Sequence, residues 1–221
     1  MAAIGRFDGN VIPFVEEDGS FYLLLVSPPP LVERILDLAD LRPGETLYDL
    51  GSGDGRLLIG AAEDHGVKAV GVELNRELYE ISRRAIVERG LQSRVEVRNA
   101  DLYRSDLDGA NVVTLYLDHG DVTEGLRERL ADRLRGGARI ISVDQGIPAW
   151  RPAKVERVIA CDQEYAVYLY SAGAIAADGQ REAVRVTGVE STVIPDPRKT
   201  LNRHDAKAAN DTIFPVPDRM I

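Results

Sequence analysis

Cysteine is almost missing from this chain of 221 residues, with Cys161 the only one. That excludes an intrachain disulfide framework and a cysteine metal cluster, and Cys161 itself is expected to be a buried structural thiol. Excess positive charge is also missing: 27 basic residues face 36 acidic ones, a formal net charge of -9. Binding to nucleic acid depends on clustered cations, so no nucleic-acid partner is expected. Histidine is rare, and His65 and His204 stand apart from cysteine or clustered acids, so no metal site is expected. No apolar run reaches the length of a membrane span, which argues against a membrane partner. "MAAIGRFDGN" lacks the basic and apolar segments of a secretion signal. A cytoplasmic protein is the expectation, and the oligomeric state stays open. What is present, 44% hydrophobic and 29% charged residues, is the composition of a globular domain.

The chain reads as an α/β protein. Residues 7–26 suggest two short strands around "EEDGS", and "SPPP" stiffens the link to a helix in "LVERILDLAD", with Leu31, Ile35 and Leu38 on one face. Strands and helices then alternate. The strands are "TLYDL", "KAVGVEL", "RVEVRNA", "ANVVTLYL" and "ARIISVD". The helices between them include "NRELYEISRRAIVERG", with Asn75 as N-cap and Leu78, Ile81 and Ala85 on its inner face. Continuous apolar strands fit a parallel sheet covered on both sides. After Trp150 the alternation stops: "AKVERVIA" and "EYAVYLYSA", separated only by "CDQ", predict an antiparallel hairpin. Five parallel strands plus such a hairpin make a Rossmann-like doubly wound sheet of seven strands, the arrangement of class I S-adenosylmethionine-dependent methyltransferases. Three regions result: an N-terminal hairpin and linker at 1–30, a cofactor-binding domain at 31–171, and an extension at 172–221 holding a possible hairpin and an irregular tail.

"YDLGSGDGRLLI" (48–59) is a strand that breaks into a glycine loop and then a helix, the build of a nucleotide cradle. The dinucleotide fingerprint G-x-G-x-x-G has its last glycine replaced by Arg56, and the Asp54 charge would repel a pyrophosphate. An adenosyl sulfonium fits better, since it has no phosphates and carries cationic groups. Asp49 and Asp54 offer carboxylates to its cationic part, while the N–H groups around Gly51 and Gly53 can approach its carboxylate. Glu73, at the second strand's end, suits the ribose hydroxyls; Leu74 and Asn75 follow it. Asp101, after the third strand, suits the adenine amino group, and Leu102 the face of its ring.

Taken together, "LYDLGSGDGRLLI", "AVGVELN", "NADLY", "VVTLYL" and "ISVDQGIPAWRPAKV" resemble the archaeal protein lysine methyltransferases. Their relatives include the mitochondrial enzyme that methylates a lysine of the ATP synthase c-subunit. The resemblance runs from about Pro29 to Tyr170. It implies methylation of lysine ε-amino groups in proteins without a metal, with Asp49, Gly51, Gly53, Glu73, Asn75 and Asp101 holding S-adenosylmethionine. It also implies that Tyr116 stands where the methyl group meets the acceptor. "SVDQG" departs from the "SHD" expected after the fifth strand, and "DHG" at 118–120 is particular to this chain.

Methyl transfer from a sulfonium is an in-line displacement, governed by alignment and exclusion of water. A lysine acceptor must first lose a proton. Tyr116 is a candidate to orient the amine; Asp118, His119 and Asp144, at the carboxyl ends of strands four and five, are candidates to relay the proton. Each has a plainer role open to it: a lid aromatic for Tyr116, helix capping for Asp118 and His119, a turn for Asp144. Trp150 either walls the acceptor channel or plugs the space under the hairpin. Two further readings stay open on the same fold, a small-molecule N- or O-methyltransferase and a non-catalytic cofactor-binding protein.

Overall fold

The computed structural model describes residues 11–15, 21–117, 120–175 and 190–193, with backbone alone at 11–15, 21–25 and 190–193. Strands β1 (Val11–Val15) and β2 (Phe21–Leu25) form the expected antiparallel hairpin, its "EEDGS" turn lying outside the described residues. Helix α1 (Pro29–Ala39) follows at once. Proline is tolerated in its first turn because those N–H groups lack partners anyway. Leu31, Ile35 and Leu38 are buried as their spacing predicts, each contributing about 1.5–3 kcal/mol.

The main sheet alternates β3 (Thr46–Leu50), α2 (Arg56–Asp64), β4 (Lys68–Glu73), α3 (Arg76–Glu88), β5 (Val95–Asn99), β6 (Val112–Leu115), α4 (Glu124–Arg135) and β7 (Arg139–Val143). The hairpin β8 (Lys154–Ala160) and β9 (Gln163–Tyr170) completes the expected seven strands, and β10 (Glu190–Val193) adds an eighth. The order is β10-β8-β9-β7-β6-β3-β4-β5, with β9 inserted antiparallel beside β7. Ligands bind at the carboxyl ends of such a sheet where strand order reverses, here between β3 and β6. One core layer lies under α1, α2 and α3; the other lies under α4 and contains Tyr48, Leu50, Leu130 and Tyr170. Buried Glu156 of β8 joins α1 to the hairpin, held 2.5 Å from both Arg34 and Lys154. Burial pushes its carboxyl up, but the two cations outweigh that and leave it below the ordinary range.

Two expectations need correction. Cys161 is exposed, not buried: Cys161 and Asp162, at φ 52° and 60°, form the two-residue turn joining β8 to β9, which puts the thiol at a hairpin tip. The inner face of α3 is Leu78, Ser82 and Ile86, with Ile81 and Ala85 only half-buried. Ser82 sets that rotation: a Cβ on Gly55 would lie 2.2 Å from its Oγ, so the helix rests on the glycine loop through a small residue. The stretch "REAVRVTGVESTVI" is described only at Glu190–Val193, where it runs parallel to β8, and the tail from 194 lies outside the described residues.

Candidate functional site

A cleft of about 320 Å³ opens at the carboxyl ends of β3, β4, β6 and β7, within the size range of small-molecule sites. Asp49, Gly51, Gly53, Asp54, Glu73, Asn75 and Tyr116 line it, as expected, together with Val26, Ser27 and Ile35 from the linker and α1. Gly51 and Gly53 sit at φ 83° and 56°, the left-handed region that glycine enters without strain, and this curls the loop back over the strand ends.

Glu73 organises the loop. One carboxylate oxygen accepts the Gly53 N–H and the other the Asn75 N–H, each at 2.8 Å. Asn75 in turn caps α3, its side chain accepting from the N–H groups of Glu77 and Leu78 at 2.9 and 3.2 Å. Asp49 is buried in β3 and accepts a 2.7 Å hydrogen bond from the Thr114 hydroxyl. Burial, reinforced by the charges of Glu73 and Asp54, pushes its carboxyl up to about 7 despite Thr114. A buried acid crowded by two others suits a cationic ligand.

Asp54 reaches the cleft, but Arg56 grips both its oxygens, with a closest approach of 2.7 Å, and donates to the Ser27 carbonyl at 2.8 Å. Its charge is therefore largely spent on fastening the linker to the glycine loop. Leu74, Asp101 and Leu102 do not line the cleft. Leu74 is 71% exposed, and Asp101 accepts the Tyr103 N–H at 2.8 Å. They nonetheless stand beside its β4 wall, since Ala100 donates to the Glu73 carbonyl and the Asn99 amide to those of Glu73 and Leu74. Arg129 of α4 clamps the same loop through the carbonyls of Leu102, Tyr103 and Ser105.

At the ends of β6 and β7, Tyr116 and Asp144, each one residue past its strand, are joined: the Tyr116 hydroxyl donates to Asp144 Oδ2 at 2.7 Å. Asp144 sits at φ 59°, a conformation aspartate tolerates, and its Oδ1 accepts the Ala166 N–H at 3.0 Å. Asp118 and His119 lie outside the described residues; Thr123 is the residue that caps α4. Trp150 is half-buried, packs edge-on against Tyr170 at 5.7 Å and does not line this cleft.

Three residues escaped the sequence reading. Thr114 had a signal, as the one polar residue inside "NVVTLYL". Arg56 and Ser27 had none, because their contact joins positions far apart in the chain.

Asp49 makes the ligand-free enzyme sensitive to pH. Its folded value, about 7, exceeds the ordinary 3.8, so its contribution to stability is full below pH 4 and is lost as pH rises through 7. The difference amounts to roughly 4 kcal/mol at most. Asp49→Asn keeps an acceptor for Thr114 and removes the titration. We expect the variant's advantage in melting temperature over wild type to widen by several degrees between pH 5 and pH 8. Parallel melting curves across that range would refute the assignment.

Comparison with known proteins agrees with the geometry. Residues 49–154 match the family described as ANTKMT methyltransferase domain. A protein-lysine N-methyltransferase of Saccharolobus islandicus is 36% identical over 148 residues, covering 66% of this chain and 91% of that one. The mouse adenine nucleotide translocase lysine N-methyltransferase is 32% identical over 171 residues, covering 77% and 69%. Among solved structures, an RNA methyltransferase from Salinibacter ruber in complex with S-adenosyl-L-homocysteine is similar at 35% identity and a TM-score of 0.62, covering 72% of this chain and all of that one. Sequence and fold are thus shared with methyltransferases, and this chain carries a glycine loop walled by acids at the switch point of its sheet: the chain is an S-adenosylmethionine-dependent methyltransferase and belongs to the protein lysine N-methyltransferase family.

Proposed function

We propose that the enzyme methylates the ε-amino group of lysine in protein substrates. The observation that carries this reading is the Tyr116–Asp144 pair at the acceptor end of the cleft. When bound, S-adenosylmethionine supplies a methyl group already activated on a positively charged sulfur. Asp49 faces its cationic part, Glu73 accepts from the ribose hydroxyls, and Gly51 and Gly53 let the backbone approach. Asp101, Leu74, Asn75 and Leu102 flank the adenine, and Asp54 acts mainly through Arg56. With its proton committed to Asp144, Tyr116 keeps oxygen lone pairs to accept a hydrogen bond from the incoming amine. Asp144 takes the proton that the lysine ammonium must shed, through water, with Asp118 and His119 as further candidates for that relay. Residues 31–171 form the catalytic unit, to which the linker adds Val26 and Ser27. A cytoplasmic setting belongs to the same proposal, supported by a lone cysteine where oxidising compartments favour pairs.

The net charge of -9 favours a protein acceptor over a nucleic acid. The test is to incubate the enzyme with methyl-labelled S-adenosylmethionine and a lysate divided into protein, RNA and small-molecule fractions. Label should enter protein, resist ribonuclease, and emerge as methyllysine after acid hydrolysis. Label confined to RNA or to small molecules would overturn the proposal.

A further inference from the structure

We infer that Tyr165 is a positioning residue for methyl transfer, its ring holding the Tyr116 hydroxyl on Asp144. The inference rests on the role given above to Tyr116 and Asp144, and it follows from where the β8–β9 hairpin ends. The last pairing between β7 and β9 is Val143 with Val167, yet β9 begins at Gln163. The pairs from Arg157–Ala166 to Ala160–Gln163 therefore extend past the last β7 pairing, at the carboxyl end of that strand, on the side proposed for the acceptor.

Two adjacent residues of this overhang grip the site by different means. The Ala166 N–H donates to Asp144 Oδ1 at 3.0 Å, and the Asp144 N–H returns a bond to the Ala166 carbonyl at 2.7 Å. The Tyr165 ring meets the Tyr116 ring edge-on, with centroids 6.5 Å apart and planes at 85°, the arrangement aromatic quadrupoles prefer. Tyr116 then donates to the other oxygen of Asp144 at 2.7 Å. Tyr165, Tyr116, Asp144 and Ala166 thus form a closed ring of contacts, completed by the peptide bond between residues 165 and 166.

The two tyrosines have unequal surroundings, which assigns their roles. Tyr116 is 38% exposed and needs a fixed neighbour to select one rotamer, whereas Tyr165 is 6% exposed and anchored in the core. Tyr165 does not line the cleft, so it acts through Tyr116 and not on the acceptor. Burial, then the charges of Cys161 and Asp144, raise its phenol above the ordinary value, so it stays neutral and does not serve as a base.

The test compares Tyr165→Leu and Tyr165→Phe in single-turnover transfer from labelled S-adenosylmethionine to the lysate fraction that the wild-type enzyme labels. Because any labelled fraction serves, failure of the lysine reading leaves this measurement intact. Tyr165→Phe keeps the ring and should stay within about threefold of wild type, while Tyr165→Leu should slow transfer about 10- to 100-fold. Calorimetry should find the affinity of both for S-adenosylmethionine unchanged. In a Tyr116→Phe background the leucine variant should cost less than about threefold more, because no hydroxyl is left to position. Should leucine compromise folding, Tyr165→Met, whose flexible thioether adapts to an irregular space, is read in the same way. Wild-type rates without the ring, or equal slowing in both backgrounds, would overturn the inference.

Discussion

Alanine at Glu73 should raise the dissociation constant for S-adenosylmethionine at least about a hundredfold. The carboxylate accepts the N–H groups of Gly53 and Asn75, one on each oxygen, and still has lone pairs directed at the cleft. Removing it deprives two loop donors of their acceptor, at about 1–3 kcal/mol each where water cannot replace it. In the proposed binding mode the ribose hydroxyls lose their charged acceptor as well. The upper part of that range exceeds the 2.7 kcal/mol or so that corresponds to a hundredfold. Glu73→Gln keeps one carbonyl oxygen and turns an amide against one of the two N–H groups, so a smaller loss, about tenfold, is expected. Calorimetric titration on variants with near wild-type melting temperatures checks both, and an alanine variant binding within threefold of wild type would remove Glu73 from the cofactor site.

Glu73 also illustrates what the sequence made legible. Its position at a strand end, 24 residues after Asp49, needed only the alternation of strands and helices to be read, and Asn75 beside it carried an ordinary capping signature. Local rules sufficed because the strand end and the cap are set by neighbouring residues. Where the reading failed, long-range packing had the deciding vote. Nothing near Asp54 says that the guanidinium holding it, that of Arg56, also reaches back 29 positions to Ser27. A lone thiol is usually buried, yet Cys161 is one of the two residues that close the hairpin, and that turn leaves it exposed. The helical period of α3 was right while its phase was not. Periodicity leaves the rotation of a helix open by one residue either way, and the close approach of Gly55 to Ser82 selects it.

The two ends of the cleft use their acids differently, and this decides what mutation should do at each. At the cofactor end Asp49 is crowded by Glu73 and Asp54, so charge itself is the asset and a cation relieves it. At the acceptor end Asp144 is held by Ala166 and committed to Tyr116, so geometry is the asset. Substitution should therefore weaken binding at the first end and slow the reaction at the second.

Tyr116→Phe is the sharpest case at the second end, with an expected loss of about 10- to 100-fold in kcat. The ring and its contact with Tyr165 persist, and the cofactor carboxylates are untouched, so the affinity for S-adenosylmethionine should stay within twofold. Only the hydroxyl leaves, and with it the oxygen that accepts from the amine and the proton held by Asp144. An amine free to swing samples the in-line approach to the methyl carbon less often, and that loss falls on the rate rather than on cofactor binding. Raising the pH makes more of the acceptor amine neutral but cannot restore its aim, so the variant should stay slow across the alkaline range. A Tyr116→Phe enzyme that matches wild type at high pH would show that proton removal, and not alignment, is what the hydroxyl provides; one that matches at every pH would remove Tyr116 from the mechanism.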